Sequence, residues 1–166
     1  MSSSTLPAPI KDAGVSLKHL IRAWLPVAMC MGLIALESSV AFGADHTSGP
    51  LQRLLEYLFN THYTQPQWWR LHIAIRKCGH FTGYGLLSVA WFRAVWMTLP
   101  PNDLFQRRRL ACHGLAMLGT LLVASADEFH QLFLPNRSGS IVDVGIDCLG
   151  GLVLQAIVAL WMFRRK

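Results

Sequence analysis

Long apolar runs alternate with short polar ones along this chain, and four of the runs reach the roughly 20 residues that a bilayer-crossing helix needs. The first is 23–43, preceded by Lys11, Lys18 and Arg22. The second is 71–98, interrupted by Arg76, Lys77, His80, Tyr84 and Arg93; the third, 110–134, follows Arg107, Arg108 and Arg109; the fourth, 141–163, is closed by Arg164, Arg165 and Lys166. A signal peptide competes for the first run, because Ala41, Phe42 and Gly43 form a small-x-small pattern after a basic start. The run is long for such a peptide and carries Glu37 near its end, which favours a retained helix.

Between the first two runs, Leu51, Leu54, Leu55, Leu58 and Phe59 recur at helical spacing behind Ser48 as N-cap and Pro50 in the first turn. This pattern predicts a short amphipathic helix on the membrane surface, in the first outer loop, with Trp68 and Trp69 in the interfacial aromatic belt. Residues 1–16 are small, polar and without apolar period, which predicts a disordered cytoplasmic tail ahead of one transmembrane domain, 17–166. The expected fold is therefore all-α: a polytopic four-helix membrane bundle with one interfacial helix.

Composition agrees with this pattern. The chain is 52% apolar and only 14% charged, against about 25% charged in an ordinary soluble domain. Its net charge of +6 does not imply nucleic acid, because the basic residues flank apolar runs, where they anchor helices at lipid headgroups. With both ends cytoplasmic, nine Lys and Arg lie inside and five outside, Arg93 being within a span. The positive-inside rule then puts both termini of a multi-pass protein in the cytoplasm. No nucleotide-binding signature is present. Cys30, Cys78, Cys112 and Cys148 show neither CxxC pairing nor zinc-type spacing and read as small hydrophobes, with a Cys78–Cys148 disulfide as the alternative.

The chemistry concentrates in 127–151, DEFHQLFLPNRSGSIVDVGIDCLGG. Charged groups are expensive at membrane depth, so such a cluster marks a functional site. Asp127 and Gln131 are i, i+4, as are Asp143 and Asp147; Lys77, His80 and Tyr84, at i, i+3 and i+7, share one helical face. In the four-span topology all of these, with Glu37, Ser38, Ser39, Arg76 and Ser140, reach the same membrane face, and the opposite halves are nearly pure hydrocarbon. One outward-facing polar pocket results. Glycines 145, 150 and 151 would let neighbouring helices approach closely.

Several uses of the pocket fit these residues. Lys77 and Arg137 would hold the anionic part of a membrane lipid or lipid-linked envelope intermediate, with Asp127, Glu128, Asp143 and His80 orienting it and Tyr84, Gln131, Ser140 and Asp147 completing the binding set. A hydrolase or transferase would use Asp127 or Glu128 as base and His80 or His130 as partner. A structural module, assembling with an envelope protein or a second copy, would use the same groups only to lock the bundle. His80, Asp127, Glu128 and His130 are acceptable zinc or manganese ligands, but no spacing such as HExxH accompanies them, so neither a metal nor another cofactor is assigned. His113, at the cytoplasmic start of the third span, is expected at the interface.

Two motifs resemble the VanZ-like family of small bacterial membrane proteins. One is KxxHFxxYxxL, here Lys77, His80, Phe81, Tyr84 and Leu87. The other is DExxQxxxPxRxxSxxDxxxD, here Asp127, Glu128, Gln131, Pro135, Arg137, Ser140, Asp143 and Asp147, with Gly150 and Gly151 following. A serine late in the first span, Ser38 or Ser39, is also similar. Where Asp147 stands the family often has asparagine. The resemblance implies a membrane protein of the cell envelope and, through the member that names the family, a link to teicoplanin tolerance; it implies no reaction.

Overall fold

The computed structural model describes residues 16–100, 105–135 and 138–164. Among these the chain is all-helical: α1 (Leu17–Glu37), a 3-10 turn (Val40–Phe42), α2 (Ala44–Phe59), α3 (Gln65–Thr98), α4 (Phe105–Gln131) and α5 (Ile141–Arg164). Of the expected tail, 1–16, residues 1–15 lie outside the described residues, as does Arg137. Three helices are long and apolar enough to cross a membrane: α1, the 107–131 part of α4, and α5. α3 is longer than any of them, at 34 residues, but its glycines and the polar His80, Tyr84, Ser88 and Arg93 keep it out of that group.

α3 is the hub, packing against α1, α4 and α5, while α4 and α5 also pack on each other. The distribution of side chains is inverted relative to a soluble domain. Leu25, Met29, Leu33, Leu118, Leu122, Phe129, Leu152 and Leu160 point outward and are exposed, whereas Ser38, Ser88, Thr120, Glu128, Gln131, Asp147 and Gln155 are buried between helices. Such a surface is stable against hydrocarbon and not against water.

Helix ends follow local chemistry more closely than they follow the apolar runs. α1 starts at Leu17, six residues before the apolar run, because Lys18 and Arg22 are good helix formers even though they are poor membrane residues. It stops at Glu37, short of Gly43, where Ser39 Oγ donates to the Leu36 carbonyl at 2.6 Å and competes with the helical ladder. α2 begins at Ala44 behind Gly43, earlier than the Ser48 cap anticipates. The Ser48 hydroxyl instead accepts from Trp68 Nε1 at 2.7 Å. Asn60 closes α2 in the left-handed region, at φ 46° and ψ 50°, which asparagine tolerates. α3 opens with Thr64, whose amide donates to the Gln67 side chain at 3.0 Å, half of a capping box.

The α3–α5 crossing is set by glycine. A Cβ on Gly150 would collide with the backbone carbonyl of Phe81, and one on Gly85 would lie 3.1 Å from the Gly150 carbonyl oxygen. Gly151 faces α4 instead, where a Cβ would stand 3.3 Å from Thr120. Gly145 meets nothing within 4 Å and has no part in the packing, since one residue's rotation carries it to the outer face. Cys30, Cys78, Cys112 and Cys148 are all free; Cys112 is buried and Cys78 is exposed, which is no hydrophobe's place in the core.

Candidate functional site

The close α3–α5 crossing brings two patterned faces into register. On α3 the polar groups climb at Lys77, His80 and Tyr84; on α5 they climb at Asp143 and Asp147. Lys77 Nζ meets Asp143 Oδ1 at 2.8 Å, and one turn deeper His80 Nδ1 stands 3.4 Å from Asp147 Oδ1. At the next turn Tyr84 donates its hydroxyl to Asp127 Oδ2 on α4 at 3.1 Å, and its ring stacks on His80 at 6.1 Å. Three rungs thus lead inward from a half-exposed ion pair to a buried phenol.

α4 and the turn that follows complete the wall. Gln131 Nε2 donates to Asp127 Oδ2 at 3.2 Å and reaches Ser38 Oγ at 3.5 Å, tying the ends of α4 and α1 together. Glu128 Oε2 accepts the Ser140 backbone N–H at 2.8 Å, so a buried carboxylate holds the start of α5. That contact requires glycine next door, because a Cβ on Gly139 would run into the Glu128 carbonyl. The Ser140 hydroxyl accepts from Val142 N at 3.2 Å as an N-cap.

These walls enclose a cavity of about 300 Å³. α3 lines it with Trp69, His72, Ile73, Arg76, Lys77 and His80, α4 with Glu128 and Gln131, and the turn and α5 with Ser138, Asp143, Ile146 and Asp147. Of the residues singled out in the sequence, the structure gathers Lys77, His80, Tyr84, Asp127, Glu128, Gln131, Asp143 and Asp147 into one cluster; Tyr84 and Asp127 sit behind the cavity wall rather than in it. His130 is exposed and stands outside the cluster. One group is conspicuous. Asp147 is fully buried, yet among the described residues neither of its carboxylate oxygens has a hydrogen-bond partner.

Two features escape sequence reasoning. His72 is buried and stacked on Trp68 at 5.5 Å; its spacing of four from Arg76 and eight from His80 could have placed it on the same face. The second is in the far half, which is not pure hydrocarbon. Gln155 Nε2 donates to both the carbonyl and the hydroxyl of Ser88 at 2.8 Å, and its Oε1 bonds His113 Nδ1. His113 thus packs within the bundle, stacked on Phe92 at 4.5 Å. One polar residue per helix leaves no pattern until the helices meet.

No curated protein and no solved structure matches the chain. A family model described as VanZ/LLP1 matches residues 23–163, a span that includes α3, the Glu128–Ser140 contact, both members of each α3–α5 rung and the glycines of the crossing. The chain belongs to the VanZ/LLP1 family.

Proposed function

We propose that the cavity binds, and presents for modification, the anionic headgroup of a membrane lipid or lipid-linked envelope intermediate. In this reading α3 is a fourth span, both termini face the cytoplasm of a bacterial cell, and the cavity opens at the outer leaflet of the inner membrane. α2 lies on that surface with Leu54, Leu58 and Phe59, all exposed, turned to the lipid. The observation that carries the reading is the lining itself. Arg76 and Lys77 stand beside exposed Trp69 and Ile73, so one wall offers cations for phosphate and apolar surface for the attached chain. Arg137 would join them from the turn.

A purely structural lock is the competing reading, and Asp147 speaks against it, since a network selected for stability alone would hydrogen-bond a buried carboxylate, and neither oxygen accepts a hydrogen bond among the described residues. Enzymatic turnover would draw on Glu128 or Asp127 as base; Glu128→Gln would then abolish turnover and spare retention of the headgroup. Native mass spectrometry of the detergent-purified chain tests the binding reading. Wild type should carry an anionic lipid or isoprenoid phosphate that the folded variants Arg76→Ala and Arg137→Ala lose. Retention of the same lipids by all three proteins would overturn it. If the lipid is a wall intermediate, teicoplanin tolerance of a susceptible host expressing the chain should move with the same variants.

A further inference from the structure

We propose that His80, Glu128 and Asp147 form a binding site for a divalent transition-metal cation. One ligand atom from each lies within 4.8 Å of the others, and the three residues come from α3, α4 and α5. Ligands about 2.1 Å from a shared ion stand about 3.0–3.5 Å apart, so small rotations of these side chains close the set. The 3.4 Å between His80 Nδ1 and Asp147 Oδ1 already has that value.

The second observation is the state of the donors. His80 Nδ1 and both oxygens of Asp147 are buried with no hydrogen-bond partner among the described residues. All three residues also line the cavity. A buried carboxylate facing a buried imidazole nitrogen, neither one hydrogen-bonded, presents lone pairs at the spacing that two ligands of one ion take. Supporting contacts fix the ligands as outer partners of metal sites do: the Ser140 amide orients Glu128, and the Tyr84 ring packs on His80.

One imidazole nitrogen with two carboxylate oxygens suits zinc, manganese or ferrous iron better than magnesium or calcium, which favour all-oxygen sets. Three protein ligands leave coordination positions open toward the cavity. The ion would also change the charge there, where Glu128, Asp143 and Asp147 otherwise face Arg76 and Lys77. A phosphate could then bind in a cavity that is acidic without metal. The site shares its cavity with the headgroup reading but does not rest on it.

The test uses the full chain in detergent, stripped with chelator and titrated with zinc, followed by equilibrium dialysis and elemental analysis. One zinc per chain is expected, with a rise in thermal midpoint that grows with free zinc. His80→Ala, Glu128→Gln and Asp147→Asn should each weaken binding at least tenfold, and His130→Ala should leave it unchanged. Cobalt loading of wild type gives a variant-free check, since nitrogen and oxygen ligation produces visible d–d bands that zinc bleaches. Zinc uptake that ignores the three variants, follows His130→Ala, or yields to a hundredfold excess of magnesium overturns the proposal. Lipid analysis on the same samples separates the readings: zinc bound without retained lipid leaves the metal site standing alone, and lipid retained by protein that takes no zinc does the reverse.

Discussion

The two ends of the helical bundle handle buried charge in opposite ways. At the end away from the cavity, cations are spent on backbone carbonyls. Pro26 has no N–H to give to the Arg22 carbonyl one turn back, and Arg93 of α3 donates to that oxygen at 2.8 Å and to Ala23 O at 3.3 Å. Arg108 donates to Trp96 O at 2.6 Å and Leu99 O at 3.2 Å, closing the C-terminus of α3, and lies over the Trp96 ring at 4.3 Å. Arg109 reaches the Ala159 carbonyl near the end of α5 at 3.2 Å. Arg93 and Arg108 thus serve carbonyls that lack a helical amide, while Arg109 ties α4 to α5. At the cavity end most partners are other side chains, and the buried Asp147 carboxylate has His80 Nδ1 3.4 Å away but accepts no hydrogen bond among the described residues. Charge turned to backbone carbonyls marks architecture, and a partly paired set of side chains around a cavity marks a site.

The comparison depends on the crossing that holds both ends in register, so the largest effect should come from Gly150→Ala. Its methyl has no room against the Phe81 carbonyl, which is backbone and cannot rotate away. Forcing α3 and α5 apart should lower stability by about 3 kcal/mol and open both rungs. Gly145→Ala, four residues past Ile141 on the open side, should instead be neutral or add up to about 1 kcal/mol of helix propensity. Thermal melts of the two variants in one detergent check this, and equal losses would mean that the crossing is not set by Gly150.

The two ends should next respond with opposite signs. In chelator-treated protein, Asp147→Asn keeps the shape and removes a buried carboxylate that accepts no hydrogen bond and has only a 3.4 Å approach to His80 Nδ1, and should raise stability by about 1–3 kcal/mol. Arg93→Ala should lower it by about 1–2 kcal/mol, because the Arg22 carbonyl is left without a donor. In a Pro26→Ala background the new amide can serve that carbonyl, and the Arg93→Ala penalty should fall below about 0.5 kcal/mol. A penalty that persists there would assign Arg93 some role other than mending the helix.

Much of this was legible before folding. The i, i+3, i+7 face of Lys77, His80 and Tyr84 and the i, i+4 pair Asp143 and Asp147 are periodicities, and periodicity survives into structure because a helix keeps its angle per residue. The amphipathic period of 51–59 lies within α2 for the same reason. What was hidden is whatever depends on a second helix. Neither Pro26 nor Arg93 explains itself alone, and a proline in an apolar run next to an arginine in another gives no sign that they meet. The same holds for His113 and Gln155, and for the three donors His80, Glu128 and Asp147, whose sequence spacing resembles no ligand motif because each helix supplies one. Helix ends were misplaced at Ser38 and Ser48 because hydropathy locates the bilayer while caps follow individual hydrogen bonds.

Smaller effects belong to charges that water reaches. The Lys77–Asp143 pair is half-exposed, at 46% and 33% of side-chain surface, so Lys77→Ala should cost no more than about 1 kcal/mol and less in high salt. Its effect on headgroup retention should be larger than its effect on melting, which a structural lock would not produce.

The smallest effect lies outside the spans, at the corner between α2 and α3. Glu56 accepts the Tyr63 amide at 3.0 Å and the Gln52 side chain at 3.0 Å. The Tyr63 bond first, then Gln52, hold its carboxyl below the usual glutamate range. A depressed value in the folded chain means that the contact contributes fully above the ordinary glutamate range and is lost as pH falls through the lowered value. The Tyr63 amide resonance should therefore shift with a midpoint below that of free glutamate, and Glu56→Gln should abolish the titration without moving the melt. A midpoint at the ordinary value would mean that this corner is not held by Glu56, and that α2 is tied to α3 through Ser48 and Trp68 alone.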